Sequence, residues 1–589
     1  GTIAVSAEVN ALGRDARAGD PQEAFEYHSV AINDVADGAI AVGIGQAAGG
    51  YDDIASTMSA VNDGDMVIYS RATADADGLE GNVVAAAGAF GFLQGFYGYN
   101  GSGAATAINK DDIVVVAVAD ALGNWASGYG TAYAEADAFG IAQYVSAAGE
   151  AAAEAINSGT IEVSSITSSE SYFGGRADGR AVGIDQAVTS EYDAALADAT
   201  NDGVVVVSAT GVATRTSGSV DPDSGAYMTS GASGISQQGE GPYNVILNAT
   251  NTSLIYSAAN ARAVPESDAD GRAGAYAYAA GIEQTALDAG TTFAWSYDDY
   301  VGSRMTATNS GDIIVETAAS SVGGENSQAR AYASGVGIAQ YQGLDEFAGN
   351  EARIENRGAV TVSSFSTVDA YESDPGDVIS GRAEATAIGS LQQVMTSANE
   401  HSNFSWLNEG TYQVFASAGY HAGGSYDFSN SVENVAVAYG AVVGGENTGH
   451  TVELDYVNAA NGVVWVAADV ATQVTDVSVE AHAFGMYFAS DALEGSVRND
   501  GLILAWVDES SDAYAPWLEA VGVTFKADIN NATFSNRGTI GAVANTDGGA
   551  ADLTAIGIHV LPYDAGDEGY ELDGGATFTL VNDGGFVFG

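Results

Sequence analysis

The chain has 589 residues, 46% of them hydrophobic, with 76 Gly and no Cys. That is too apolar for a disordered tail, and it excludes disulfides, thiolate metal sites and a cysteine nucleophile. A net charge of −60, from 77 acidic against 17 basic residues, repels nucleic-acid phosphates and anionic bilayers alike, and no stretch reaches the ~20 apolar residues of a membrane helix.

In chain order, the first segment, Gly1-Thr2-Ile3-Ala4-Val5, reads as a strand that has lost its opening turn. From there a refrain in two halves runs to the last residue. One half is Asn-x-Gly followed by alternating aliphatic and polar residues, as in Asn157-Ser158-Gly159-Thr160-Ile161-Glu162-Val163. Its Asn falls at Asn62, Asn109, Asn157, Asn201, Asn309, Asn356, Asn408, Asn499, Asn536 and Asn582, with a degenerate copy at Asn251 and a displaced one at Asn461. The other half is Gly-Ile-x-Gln. Its Gln falls at Gln46, Gln94, Gln143, Gln186, Gln237, Gln284, Gln340 and Gln392 and is missing from the last four copies, at Gly440, Gly485, Gly522 and Gly557.

Both halves alternate with period 2, the pattern of a half-buried strand. Ile161 and Val163 face one way, Thr160 and Glu162 the other. Gly before the strand permits a positive φ at a corner, and Asn bonds its own turn backbone. The repeat length, near 47 residues and recurring about twelve times, predicts an all-β parallel β-helix in a single domain over 1–589, less regular from about 440 to 589. Intervals of 17 to 19 residues usually separate the Gly of one half from the next Asn. These intervals favour two coils per repeat, one tight and one carrying a variable loop. Twenty-four coils at ~4.8 Å each would make a rod on the order of 115 Å. Stacked Asn and Gln at fixed corners are expected to form amide ladders. Variable loops are expected at Asp15–Tyr27, Ser165–Gly179, Val220–Tyr227, Ser321–Arg330, Glu372–Gly381 and His421–Val432. The chain closes on Asn582-Asp-Gly-Gly, another refrain opening, so a bare β edge is expected at each end and, with it, self-association through those edges.

The run Asn-x-Gly-x-Ile-x-Val-x-Ala followed by Ala-x-Gly-Ile-x-Gln resembles the passenger regions of bacterial autotransporters and related β-helical surface proteins. The likeness extends from Gly1 to Gly584. It implies export from a Gram-negative cell and display or release outside, with a structural or adhesive role toward glycans or host surfaces. No translocator barrel sequence follows, so the resemblance implies a cleaved passenger, with surface-layer and filament subunits as related alternatives.

Motifs for other chemistry are sparse. The six histidines are scattered, and the Gly-x-Ser-x-Gly, phosphate-loop and His-Glu-x-x-His patterns are absent. No cofactor is expected. Calcium is the exception that the acidic surface leaves open, at Asp221-Pro-Asp223 or Asp564–Glu568. The adjacent acids Asp52-Asp53, Asp111-Asp112 and Asp298-Asp299 are the candidates for paired-carboxylate chemistry on polysaccharide. The chain is thus expected to be a non-enzymatic extracellular rod. A polysaccharide-degrading enzyme and a calcium-dependent surface-layer protein are the alternatives. Acids flanked by aromatics in a groove would point to the enzyme.

Overall fold

The structure, a computed structural model, describes the chain except residues 13–16, 19–38, 51–54, 78–82, 125–130, 217–224, 243, 266–271, 288–301, 324–327, 344–349, 372–379, 396–400, 424–431, 446–450, 473–477, 512–515, 528, 547–551 and 562–577. Asp52, Asp53, Asp221, Asp223, Asp298, Asp299 and Asp564–Glu568 therefore lie outside the described residues, as do most of the expected loops.

The described residues form no helix. Their strands stack into three parallel sheets of thirteen strands each. One repeat shows how. Thr160–Ser171 joins the first sheet, Gly175–Ser190 the second and Ala195–Asn201 the third. Each strand pairs with its equivalents one repeat away, Ile161 with Val205, Ile184 with Ile235 and Asn157 with Asn201. This is the expected parallel β-helix.

The coil count differs from expectation. Every repeat makes one coil of three strands, not two coils. The interval of about 18 residues that suggests a closed turn is instead the second half of a 16-residue strand, a corner and a seven-residue strand. Twelve steps of ~4.8 Å make a stack on the order of 60 Å, half the two-coil length.

Ser165–Gly179 is a second difference. It is nearly all strand, with only residues 172–174 between two long strands. It reads in sequence as a variable loop, yet Ser165, Thr167, Ser169 and Ser171 all point inward and are buried. Ser165 Oγ donates to Ala136 O at 2.6 Å. Bonds of this kind let a polar residue stand where Ala or Val stands in other coils.

The lumen is filled by columns of like residues. Ile113, Ile161, Val205, Ile255 and Ile313 stack in the first sheet with no exposed surface. Alanine dominates the facing strands of the second sheet, as at Ala134, Ala136 and Ala138. Small residues let the sheets close over so thin a core.

Two glycine columns fix the bends for a reason other than the expected positive φ. Among the described residues only Gly495 and Gly584 have one. At the Asn-x-Gly turn a Cβ on Gly159 would collide with the backbone of Asp111, one coil earlier. In the second sheet a Cβ on Gly140 would lie 2.5 Å from Gly183 O and collide with Ile161. Both columns are glycine because backbones approach there.

Candidate functional site: amide ladders and the outer face of the second sheet

The ladder residues fall into two continuous chains of side-chain amides. Asn62 Nδ2 donates to Asn109 Oδ1 at 2.9 Å, Asn109 to Asn157 at 2.8 Å and Asn157 to Asn201 at 2.8 Å. The series goes on through Asn309, Asn356, Asn408, Asn499 and Asn536 to Asn582. Asn251 belongs to it in full, accepting from Asn201 and donating to Asn309. The displaced copy is not Asn461. Asn458 holds the ladder place, bonded to Asn408 and Asn499, because the turn after it is two residues longer and Gly462 closes on Ala459 O.

The glutamines run the opposite way. Gln94 Nε2 donates back to Gln46 Oε1 at 2.7 Å, Gln143 to Gln94 at 2.8 Å and Gln186 to Gln143 at 2.8 Å. Gln237, Gln284, Gln340 and Gln392 continue the series. Each of them also donates to a carbonyl of the third sheet, as Gln186 does to Asp198 O at 3.0 Å. This ladder therefore ties the second sheet to the third. It ends where Tyr456 Oη donates to Gln392 Oε1. Beyond that point the column reads Val443, Phe488 and Phe525, and the rings of Phe488 and Phe525 stack at 5.0 Å. Gln disappears from the last copies because aromatic filling replaces the amide chain.

Chemistry gathers on the outer face of the second sheet. The strand bends at its glycine, so outward side chains on both sides of the bend meet. Phe90, Phe139, Val182 and Ala142 form a buried cluster outside the lumen, with Tyr144 packed on it. Around this floor stand acids and cations. Tyr144 Oη donates to Asp185 Oδ2 at 3.0 Å, and Arg180 lies 3.7 Å from the same carboxylate and over the Phe139 ring. Tyr133 Oη donates to Glu135 Oε2 at 3.1 Å. Glu135 is beside Asp178 and Asp137 beside Arg180 in the next coil.

Burial, reinforced by the nearby Asp137 charge, pushes the Glu135 carboxyl up to about 7. Burial likewise pushes Asp137 up to about 6, against the pull of Arg180. None of these residues was legible as a site in the sequence. They are one coil apart in space and more than 40 residues apart in the chain. The available signal was a run of outward charged and aromatic residues at equal offsets before successive Gly-Ile pairs.

Farther along the same face, arginine and tyrosine dominate. Five of the chain's 15 arginines, Arg176, Arg180, Arg272, Arg330 and Arg382, stand on this face over five successive coils. The Tyr276 and Tyr332 rings stack at 5.1 Å, and Arg382 lies over Tyr332.

Of the sequence-derived acid pairs, Asp111-Asp112 is described. With Asp65 it makes a group whose carboxylate oxygens lie within 4.8 Å of one another, the arrangement that could hold a divalent cation. All three residues are exposed. In the run Phe96-Tyr97-Gly98-Tyr99, Phe96 is buried, while Tyr97 and Tyr99 meet edge to face on the surface.

No family model, no characterised protein and no solved structure compared with the chain matches it.

Proposed function

We propose that the chain is a structural and adhesive rod displayed or released outside a Gram-negative cell. What carries this reading is the unbroken stack of one-coil repeats, locked by the two opposed amide ladders. Such a stack is stiff along its length and presents outward columns of side chains at a fixed repeat, which suits attachment to extended polymers or host surfaces. The acidic surface keeps a strand-rich body soluble. The test is immunogold labelling of intact source cells with negative-stain imaging of the purified chain. Label on the surface or in the medium, with elongated particles, is expected. Label confined to the cytoplasm would overturn it.

A second reading has its own observation. Glycoside hydrolysis needs one protonated and one ionised carboxyl, and Glu135, raised to about 7, has Asp178 beside it, with the Tyr133 and Tyr144 hydroxyls on the same face. Incubation with plant, bacterial and animal polysaccharides, read as new reducing ends, tests this. Cleavage lost in Glu135→Gln supports an enzyme; no cleavage of any of them removes it.

A further inference from the structure

Arg176, Arg180 and Arg382 each hold a carboxylate: Asp178 at 2.8 Å, Asp185 at 3.7 Å, and Glu384 and Glu433 at 2.8 and 3.1 Å. Arg330 holds none among the described residues. It stands between two adjoining depressions of about 300 and 440 Å³, and with Gln328 it lines both.

The first depression exists because the outward column reads Tyr227, Gly274, Arg330. Gly274 lets the Tyr227 and Tyr276 rings close over the middle place. A Cβ there would be only 3.1 Å from the Tyr227 ring and 3.1 Å from the Tyr276 ring. The result is a depression bordered by two tyrosines, with Arg272 at one edge and Arg330 at the other. The second depression continues along the stack past Arg330 to Tyr332, Arg382 and Glu433.

An exposed phenol ring such as that of Tyr276 takes the apolar C–H face of a sugar laid across it. A planar guanidinium that no carboxylate among the described residues holds can take a carboxylate or sulfate through paired N–H bonds. Successive coils are ~4.8 Å apart, about one sugar ring, so a linear glycan lying along the stack meets one coil per unit. Net repulsion from the rest of the rod does not decide the matter. At physiological salt the Debye length is about 8 Å, so distant carboxylates are largely screened, and Glu433, which lines the second depression, is paired with Arg382 at 3.1 Å.

We propose that the depression beside Gly274 and Arg330 binds an acidic unit of a linear polysaccharide, one bearing carboxylate or sulfate groups. This rests on the adhesive reading above and names its ligand.

The experiment titrates the full chain with polygalacturonate, dextran sulfate, neutral dextran and poly-glutamate at physiological salt, alongside Arg330→Gln and Arg357→Gln. Arg357 pairs with Glu355 and Glu409 at 3.0 Å and stands in the Asn-x-Gly turn outside this face, so its variant makes the same charge change elsewhere. Expected is binding of one or both acidic glycans, with the two arms separating carboxylate from sulfate recognition, and none of neutral dextran. Arg330→Gln should weaken binding about tenfold or more, as loss of a charge-assisted pair does, and Arg357→Gln should leave it unchanged. Equal loss in both variants, no loss in Arg330→Gln, or no binding of either acidic glycan would overturn the proposal. Equal binding of neutral dextran, or preference for poly-glutamate, would do the same. The same samples are imaged, so rods that do not bind refute the site alone, whereas particles that are not rods refute the adhesive reading.

Discussion

Asn201 donates its side-chain amide forward to Asn251 Oδ1, one coil toward the C-terminus, at 2.8 Å. In the same coils Gln237 donates backward to Gln186 at 2.8 Å. The two amide chains thus run antiparallel, so their side-chain dipoles oppose along the stack. The Asn chain satisfies buried polar groups at the corner where the backbone leaves the third sheet for the first, and the Gln chain does so within the second sheet, three residues past its bend. Substituting Asn201→Ala strips Asn157 Nδ2 of its side-chain acceptor and Asn251 Oδ1 of its donor. The expected cost is about 1–3 kcal/mol, read as a lower denaturant midpoint, with the loss centred on that coil in hydrogen exchange.

The glycine column of the second sheet should tolerate nothing larger. A Cβ at Gly183 would lie 2.6 Å from Gly234 O and collide with Val205. Gly183→Ala should destabilise by about 1–3 kcal/mol or more, the cost of overpacking a closed core. Gly444→Ala is the control, since a Cβ there meets nothing within 4 Å. Thermal melts of the two variants should separate clearly.

Glu135 predicts a pH dependence with a definite sign. Its carboxyl is pushed from 4.5 to about 7 in the folded chain, first by burial and then by Asp137. The folded state therefore holds this proton more tightly than the unfolded one. Its stabilisation is complete below pH 4.5 and is lost as pH rises through about 7. Asp137, pushed to about 6, acts in the same direction. Glu135→Gln should flatten part of this slope, gaining on the native chain at pH 8 relative to pH 4.5. Denaturant midpoints across that range measure it, and a difference that does not change with pH would remove the assignment.

The aromatic segment that takes over from the glutamines should carry much of the stability of the later coils. Trp406 is 1% exposed and stacks against Tyr412 at 5.6 Å and Tyr456 at 5.8 Å. Trp406→Ala should cost about 3–5 kcal/mol. Because Trp465, Trp506 and Trp517 are partly exposed, the variant should also red-shift tryptophan emission by removing a buried fluorophore.

The sequence by itself determined the strands, their inward faces and the repeat, because period-2 alternation and the recurring Asn, Gly and Gln are local signals that every coil must satisfy to stack on the next. It also marked most ladder positions, since a residue that bonds its own equivalent leaves a trace at a fixed interval. Only the tertiary structure decided that each repeat is one coil. The corner between the first and second sheets carries no punctuation of its own, and a 16-residue strand bent at Gly140 reads in sequence like two strands. Ladder membership of Asn251 and Asn458, whose turns read Asn-Thr-Ser and Asn-Ala-Ala, followed from backbone register and not from the motif. The outer face of the second sheet was the least legible part. Glu135 beside Asp178, or Gly274 between Tyr227 and Arg330, is an adjacency across coils. It depends on register between strands more than 40 residues apart, which only the stacking of the coils sets.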